Sequence, residues 1–372
     1  MPPKINASIC TVLRNWYVTN CRTLPWRQTT DPYAIWISEV MLQQTRVNTV
    51  IPYYTAFLEY FPTVKTLAAS DLQNVLKVWE GLGYYARARN LHRAANTVTQ
   101  QYDGIVPGDW KRFRALSGVG DYIAAAVLSM AFNQPYAVVD GNVKRVLARL
   151  FTMPQMINKS TYHAVFQAKA DELIDAGQPG TFNQAMMELG AIICTPRHPD
   201  CTLCPLVFCC KAFTLEKVNH YPKRQKKKNT PLYHIAIGVV RKNGRILITR
   251  RKPDGLLGGL WEFPGGKINP KETSTNALKR EIAEETSLIV NNLTFLTRIK
   301  HAYTHFKIEA DVLLCDHAHG KVRLNGPVDY CWIVPSEIEN YPFPKANHKF
   351  IPLLRQRLEA KNDDENEQHR CS

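Results

Sequence analysis

Leu116 to Asn142, LSGVGDYIAAAVLSMAFNQPYAVVDGN, is the stretch on which the reading of this chain turns. It opens on a Gly118-Val119-Gly120 turn, runs through an apolar, Ala-rich segment from Tyr122 to Phe132, and breaks at Asn133-Gln134-Pro135. The apolar segment predicts a buried helix. Asp140-Gly141-Asn142 then opens a basic amphipathic segment, Val143 to Leu150. A Gly-x-Gly turn before a helix leaves backbone N–H groups pointing outward, where they can hold a phosphate oxygen. An acidic residue at the start of the next helix sits in the positive end of its dipole, which favours the ionised form. The stretch therefore offers a grip on nucleic acid with a carboxylate beside it. An ordinary turn between two core helices would read similarly.

Outward from this stretch, residues 1–213 read as mostly helical. Apolar residues recur at helical spacing in Ile9–Tyr17, Ile35–Val50, Tyr53–Phe61, Asp71–Val78, Ala86–Gln100 and Thr161–Ala176. Residues 214–231 turn polar and basic, with Lys223-Arg224-Gln225-Lys226-Lys227-Lys228, and are expected to be a solvated interdomain linker. From Leu232 the period changes. Strands are expected at His234–Val240, Arg245–Thr249 and Thr294–Ile299, and a helix at Thr273–Glu285, giving an α+β domain over 232–356. The acidic, polar end, 357–372, is expected to be a disordered tail.

The formal net charge of +15 over 372 residues suits a polyanionic partner. No apolar run approaches a membrane span, and the beginning MPPKINASIC lacks the apolar core of a signal peptide. A cytoplasmic or nucleoid-associated protein with no membrane partner is expected. Of the ten cysteines, Cys194, Cys201, Cys204 and Cys210 form a C-x6-C-x2-C-x5-C cluster. Four thiolates so close in sequence can close around one metal centre, and a single C-x2-C pair favours an iron–sulfur cluster over zinc. Spacing leaves open whether Cys209 or Cys210 is the fourth ligand.

Together these motifs resemble the helix-hairpin-helix DNA glycosylases of the endonuclease III superfamily. Leu24-Pro-Trp-Arg27, Trp36-Ile-Ser-Glu39-Val-Met-Leu-Gln-Gln-Thr45 and Gly81-Leu-Gly-Tyr-Tyr85 narrow the resemblance to its adenine DNA glycosylase (MutY type) branch, from about residue 10 to 213. The resemblance implies a monomer that flips adenine, mispaired with 8-oxoguanine or guanine, out of double-stranded DNA and hydrolyses its glycosidic bond. It implies a [4Fe-4S] cluster on the cysteine loop. Glu39, among apolar neighbours that raise its pKa, would be the general acid, and Asp140 the ionised partner that stabilises the sugar cation. Asn142 would support Asp140. Tyr122 stands where strand-cleaving relatives carry a Schiff-base lysine, which implies a monofunctional enzyme; the alternative is a bifunctional lyase for oxidised pyrimidines. Gln44 and Tyr84 match the residues that wedge into the duplex. Trp26, Arg27, Leu42, Val47 and Gln184 match the adenine pocket. Gly118 and Gly120 would hold the DNA backbone, with Arg87, Arg89, Lys144 and Arg145 as further phosphate contacts or a solvated face.

Residues 232–355 resemble a Nudix domain. The pattern G-x5-E-x7-R-E-U-x-E-E fits Gly266, Glu272, Arg280, Glu281, Ile282, Glu284 and Glu285, whereas Ser287 replaces the Gly that ends the box. Glu281, Glu284 and Glu285 could bind Mg²⁺. The resemblance implies that this domain senses 8-oxoguanine through Tyr303-Thr304-His305; a residual Mg²⁺-dependent nucleoside-diphosphate hydrolase is the other reading. The expected fold is a mainly α helix-hairpin-helix glycosylase fold with an iron–sulfur loop, followed by an α+β Nudix-like domain.

Overall fold

The computed structural model describes residues 3–225 and 229–359. They divide into two units: one runs to Ala69 and resumes at Asn90, and the other takes Ser70–Arg89 together with the chain beyond the basic stretch. The sequence reading assigns residues 70–89 to the helical region. Two of their bonds join them to the later chain: Trp261 Nε1 donates to Gln73 Oε1 at 3.0 Å, and the Phe343 amide donates to the Glu80 carboxylate at 2.6 Å. No helix among the described residues is long and apolar enough to cross a membrane.

The first unit is helical. The Ala-rich run forms the Asp121–Phe132 helix, in which every residue from Ile123 to Ser129 is buried. Asn133 ends it in the left-handed conformation that favours Asn and Gly. The Pro32–Leu42 helix packs against it and starts on Asp31, whose carboxylate accepts from the Tyr33 and Ala34 amides. The single helix expected over Ile35–Val50 is instead two, Pro32–Leu42 and Val47–Tyr60, parted where Gln44 takes φ +57°. The Gly141–Leu150 helix begins on Asp140, and the Thr161–Ala176 helix shortens to His163–Asp171. The expected solvated linker is partly docked. The Lys223 carbonyl accepts from the Ile157 amide, and Gln225 exchanges backbone bonds with the Asn158 side chain. Lys226–Lys228 lie outside the described residues.

The second unit is built on a mixed sheet. Its strands are β1 (Leu232–Lys242), β2 (Arg245–Arg250), β3 (Trp261–Glu262), β4 (Gly265–Lys267), β5 (Ile289–Ala302), β6 (Lys307–His319) and β7 (Asp329–Ile333). The order is β3-β2-β1-β6-β5, with β4 on β1 and β7 on β2; β1 and β6 run parallel and the other pairs antiparallel. Successive side chains of β1 point to opposite faces, and both are covered, so it reads as a continuous apolar run. Ala236 and Val240 pack against Leu278 and Ile282 of the Ser274–Thr286 helix, while Ile237 and Val239 join Phe343, Phe350 and Leu354. Gly238 lets that helix approach, since a Cβ there would lie 2.8 Å from Leu278. Helix at residues 351–359 buries Leu358, so the expected tail begins no earlier than residue 360, beyond which it lies outside the described residues.

Candidate active site

A cavity of about 170 Å³ in the first unit is lined by Glu39, Tyr122, Asp140 and Asn142, and by Trp26, Arg27, Leu42, Val47 and Gln184. The fold thus brings together nine residues that the sequence reading singles out across more than 150 positions. Glu39 comes from the Pro32–Leu42 helix and is 3% exposed. Burial pushes its carboxyl up to about 7; the Tyr122 hydrogen bond and Arg27 oppose the rise, and the nearby Asp140 charge adds to it. Tyr122 Oη donates to Glu39 Oε2 at 2.8 Å. Burial and the two carboxylates hold the Tyr122 phenol well above its ordinary value, so it is a donor and not a base.

Asp140 caps the Gly141–Leu150 helix. Its Oδ1 accepts from the Val143 amide at 2.7 Å and its Oδ2 from Asn142 Nδ2 at 3.0 Å. The sequence reading expects the helix start to favour ionisation. In the fold, burial is the larger effect and raises the Asp140 carboxyl, with the cap bonds, Asn142 and Arg145 opposing it.

Sequence reasoning missed the residues that hold the cavity wall. Glu188, with a fully buried side chain, accepts from Arg22 Nη2 at 2.6 Å and Arg27 Nη2 at 2.8 Å. Burial opposes its ionisation, yet the bonds from Arg22 and Arg27 hold it down to about 2. Tyr17 Oη donates to Gln184 Oε1 at 3.0 Å, leaving the Gln184 amide nitrogen for another partner. Glu188 and Arg22 carry no local pattern that would single them out. Gln44 is exposed and does not line the cavity, although its neighbours Leu42 and Thr45 do.

The Gly118-Val119-Gly120 turn is built as its sequence demands. Gly118 takes φ +78°, where a Cβ would meet Asn90 at 2.7 Å. Gly120 caps the Asp121–Phe132 helix without a side chain, so the first amides of that helix have no side-chain cap. Two basic residues of the Gly141–Leu150 helix turn inward. Arg145, 4% exposed, donates to the Gly190 and Cys194 carbonyls and to Asn142 Oδ1, which ties the Asp140 cap to the cysteine loop. A phosphate contact at Arg145 is therefore replaced by an internal clamp. Arg149, one turn on, donates to the Thr195 carbonyl at 2.7 Å and to Cys194 Sγ at 3.3 Å. Lys144 lies over the Phe166 ring.

Cys194, Cys201, Cys204 and Cys210 line one small cavity of about 30 Å³ with Arg149. Cys209 does not; its thiol donates to the Leu206 carbonyl. Among the described residues no three His, Cys, Asp or Glu side chains come close enough to hold a single metal ion. The four thiols face one shared space, with the Arg149 guanidinium on Cys194.

In the second unit, Tyr84 takes φ +51° and its hydroxyl bonds Thr304 Oγ1. Arg87 stacks over the Trp79 and Tyr84 rings, and Arg89 donates to the Gly258 carbonyl at 2.6 Å. Thr304 and His305 are exposed at the turn between β5 and β6, while the Tyr303 ring turns inward and stacks on Phe306. Glu281 and Glu284 both pair with Arg280, and Glu285 accepts from the Gly265 amide at 3.3 Å. Ser287 keeps the helix-ending turn that its Gly-to-Ser departure puts in question, at φ +59° with its amide bonded to Ala283.

Two family models match the chain: an HhH-GPD superfamily base excision DNA repair protein over residues 37–171 and a NUDIX domain over 236–353. The adenine DNA glycosylase of Buchnera aphidicola subsp. Schizaphis graminum is 36% identical over 345 residues, covering 92% of this chain and 98% of that one. The adenine DNA glycosylase of Homo sapiens is 34% identical over 357 residues and 81% of this chain, which spans 65% of the human protein's length. Among solved structures, a thermostable thymine-DNA glycosylase aligns with a TM-score of 0.53 at 31% identity, covering 57% of this chain and 98% of that one.

Proposed function

The chain belongs to the adenine DNA glycosylase family, and from that membership we propose that it is a monofunctional enzyme excising adenine mispaired with 8-oxoguanine or guanine in duplex DNA. The observation that carries this reading is the Glu39 carboxyl, buried, bonded by Tyr122 and raised to about 7 beside Asp140. An acid with that pKa is protonated often enough near neutrality to give its proton away.

The adenine must leave the base stack to reach Glu39. Gln44 and Tyr84 fill the gap it leaves. Trp26, Leu42 and Val47 offer the extruded base apolar surface, and the free donor of Gln184 and the Arg27 guanidinium offer its edge polar partners. Glu39 transfers its proton to a ring nitrogen of adenine, the glycosidic bond breaks, and the bonding electrons leave with the base. Asp140 stabilises or briefly traps the resulting sugar cation, held in place by Asn142 and the Val143 amide. Water then adds to the sugar carbon and gives up a proton to a carboxylate. Tyr122 has no amine to form a Schiff base, so the strand stays intact at an abasic site. Gly118 and Gly120 hold the DNA backbone at the uncapped helix start.

Cys194, Cys201, Cys204 and Cys210 fit a [4Fe-4S] cluster, which would supply a cross-link ordering the loop that Arg145 and Arg149 tie to the Asp140 helix. The exposed Thr304 and His305, with Tyr303, support a reading of the second unit as the sensor of 8-oxoguanine opposite the adenine. The protein acts as a monomer on double-stranded DNA. Glu39→Gln tests the assignment: adenine release should be abolished and mispair binding kept. Retained turnover in that variant would end it.

A further inference from the structure

The Gly81-Leu-Gly-Tyr-Tyr85 loop, which carries Tyr84, is preceded by a charge that the reaction above leaves unused. Glu80 lies within the second unit, and its side chain is only 13% exposed. Its Oε1 accepts from the Phe343 amide at 2.6 Å and bonds His348 Nε2 at 2.9 Å, and its Oε2 accepts from Lys77 Nζ at 2.5 Å. Burial opposes ionisation of Glu80, but these three bonds outweigh it and hold the carboxyl below its ordinary value. Phe343 is a fixed anchor: it is fully buried and stacks on Phe263, with ring centroids 5.4 Å apart. Its carbonyl accepts from Tyr85 Oη at 3.4 Å, and Tyr85 Oη accepts in turn from the Gly81 amide at 3.1 Å. Both ends of the loop are thus tied to the backbone of one core residue. Between them Tyr84 takes φ +51°, a strained conformation for a bulky side chain, which persists only where its surroundings impose it. Its hydroxyl bonds Thr304 Oγ1.

We propose that Glu80 is a positioning residue: it ties the Tyr84 loop to Phe343 so that Tyr84 and Thr304 reach the strand opposite the adenine as one piece. Those two residues carry here the wedging and sensing roles proposed above, on which this assignment rests. A wedge and a sensor held in register engage the lesion together, and their ordering is in place before DNA binds. Without the Glu80 tether, Tyr84 can still stack in the duplex, but Thr304 no longer arrives with it. The loss therefore falls on the preference for 8-oxoguanine and not on the chemistry at Glu39. The other ties of this segment lie farther from the loop: Gln73 accepts from Trp261 Nε1, and Arg89 donates to the Gly258 carbonyl. Local sequence gives no hint of the role, since Phe343 and His348 meet Glu80 across 263 and 268 positions.

The test is single-turnover adenine excision by the full-length chain from duplexes carrying adenine opposite 8-oxoguanine or opposite guanine. Glu80→Ala should lower the ratio of the two rates at least about tenfold, the size of one charge-assisted bond. Glu80→Gln keeps an Oε1 acceptor for Phe343 and His348 and should recover most of the ratio. In a double-mutant cycle with Thr304→Val the two losses should not add, because they break one linkage. An unchanged ratio in folded Glu80→Ala overturns the proposal and leaves adenine excision standing, as do fully additive losses. If the unaltered chain shows no preference for 8-oxoguanine, the parent reading falls and this assignment with it. Should Glu80→Ala fail to fold, His348→Ala decides, since it removes one donor at an exposed position. It should lower the ratio severalfold, and an unchanged ratio overturns the proposal.

Discussion

The Tyr122 hydroxyl donates to Glu39 Oε2 at 2.8 Å, and that bond works against the burial that raises the Glu39 carboxyl. In the proposed mechanism the same residue takes the place of a lyase's amine and sets how readily the acid gives up its proton. Tyr122→Phe removes the opposing bond. The expected result is that the alkaline limb of the adenine-excision rate, near pH 7 in the unaltered protein, moves to higher pH. A pH–rate profile under single-turnover conditions measures it, and an unmoved limb would separate Tyr122 from the acid.

Glu39 also couples stability to pH. Its folded pKa of about 7 lies above the ordinary 4.5. The folded state binds the proton more tightly, so the stability contributed is fully present below the unfolded pKa and is lost as pH rises through 7. Glu39→Gln removes this penalty and keeps an acceptor for Tyr122. At pH 8 the variant should exceed the unaltered protein by on the order of 2–3 kcal/mol, with little difference at pH 4.5. Urea unfolding at the two pH values checks it.

Glu188 holds Arg22 and Arg27 from a fully buried position. Glu188→Gln leaves two guanidinium groups without their counter-charge, which should cost about 3 kcal/mol. Because Arg27 lines the same cavity as Glu39, the variant should also weaken binding of mispaired duplex, which Glu39→Gln keeps. Its folded pKa near 2 predicts that its contribution is present above 4.5 and lost only as pH falls toward 2.

The residues that line the first unit's cavity were legible because they lie in short motifs with a chemical reason for each member. Asp140 follows a turn, Glu39 is followed by apolar residues, and Tyr122 follows the Gly-x-Gly turn. What supports them was not legible. Glu188 meets Arg22 across 166 positions, and no local spacing reports such a closure. Arg145 and Arg149 gave the Val143–Leu150 segment an amphipathic look, but helical period says which residues share a face and not whether that face meets water or loop carbonyls. Gln44 breaks a helix with no Gly or Pro to mark it. In the second unit, β1 was readable as a short apolar run and the Ser274–Thr286 helix from its Glu-rich box, whereas the parallel pairing of β1 with β6 and the docking of residues 70–89 depend on partners far along the chain.

The cysteine loop separates two adjacent thiols. Cys210 lines the shared cavity and Cys209 bonds Leu206 instead. Cys210→Ser should lose most of the bound iron and its visible absorbance, and Cys209→Ser should keep both. Iron assay of the two purified variants checks it; loss in Cys209→Ser with retention in Cys210→Ser would reverse the ligand set.

Ser287 ends its helix at φ +59°, a region where a side chain is strained and glycine is not. Ser287→Gly should stabilise the protein by about 1 kcal/mol. A rise in the unfolding midpoint of the second unit, with adenine excision unchanged, is the expected outcome.

Excision of adenine without strand cleavage is tested most directly by single-turnover reactions of four matched duplexes: adenine opposite 8-oxoguanine, adenine opposite guanine, adenine opposite thymine, and thymine glycol opposite adenine. Products are resolved with and without alkali. Adenine should be lost from the first two alone, with strand breaks only after alkali. Breaks at thymine glycol without alkali would move the protein to the lyase branch and end the monofunctional assignment.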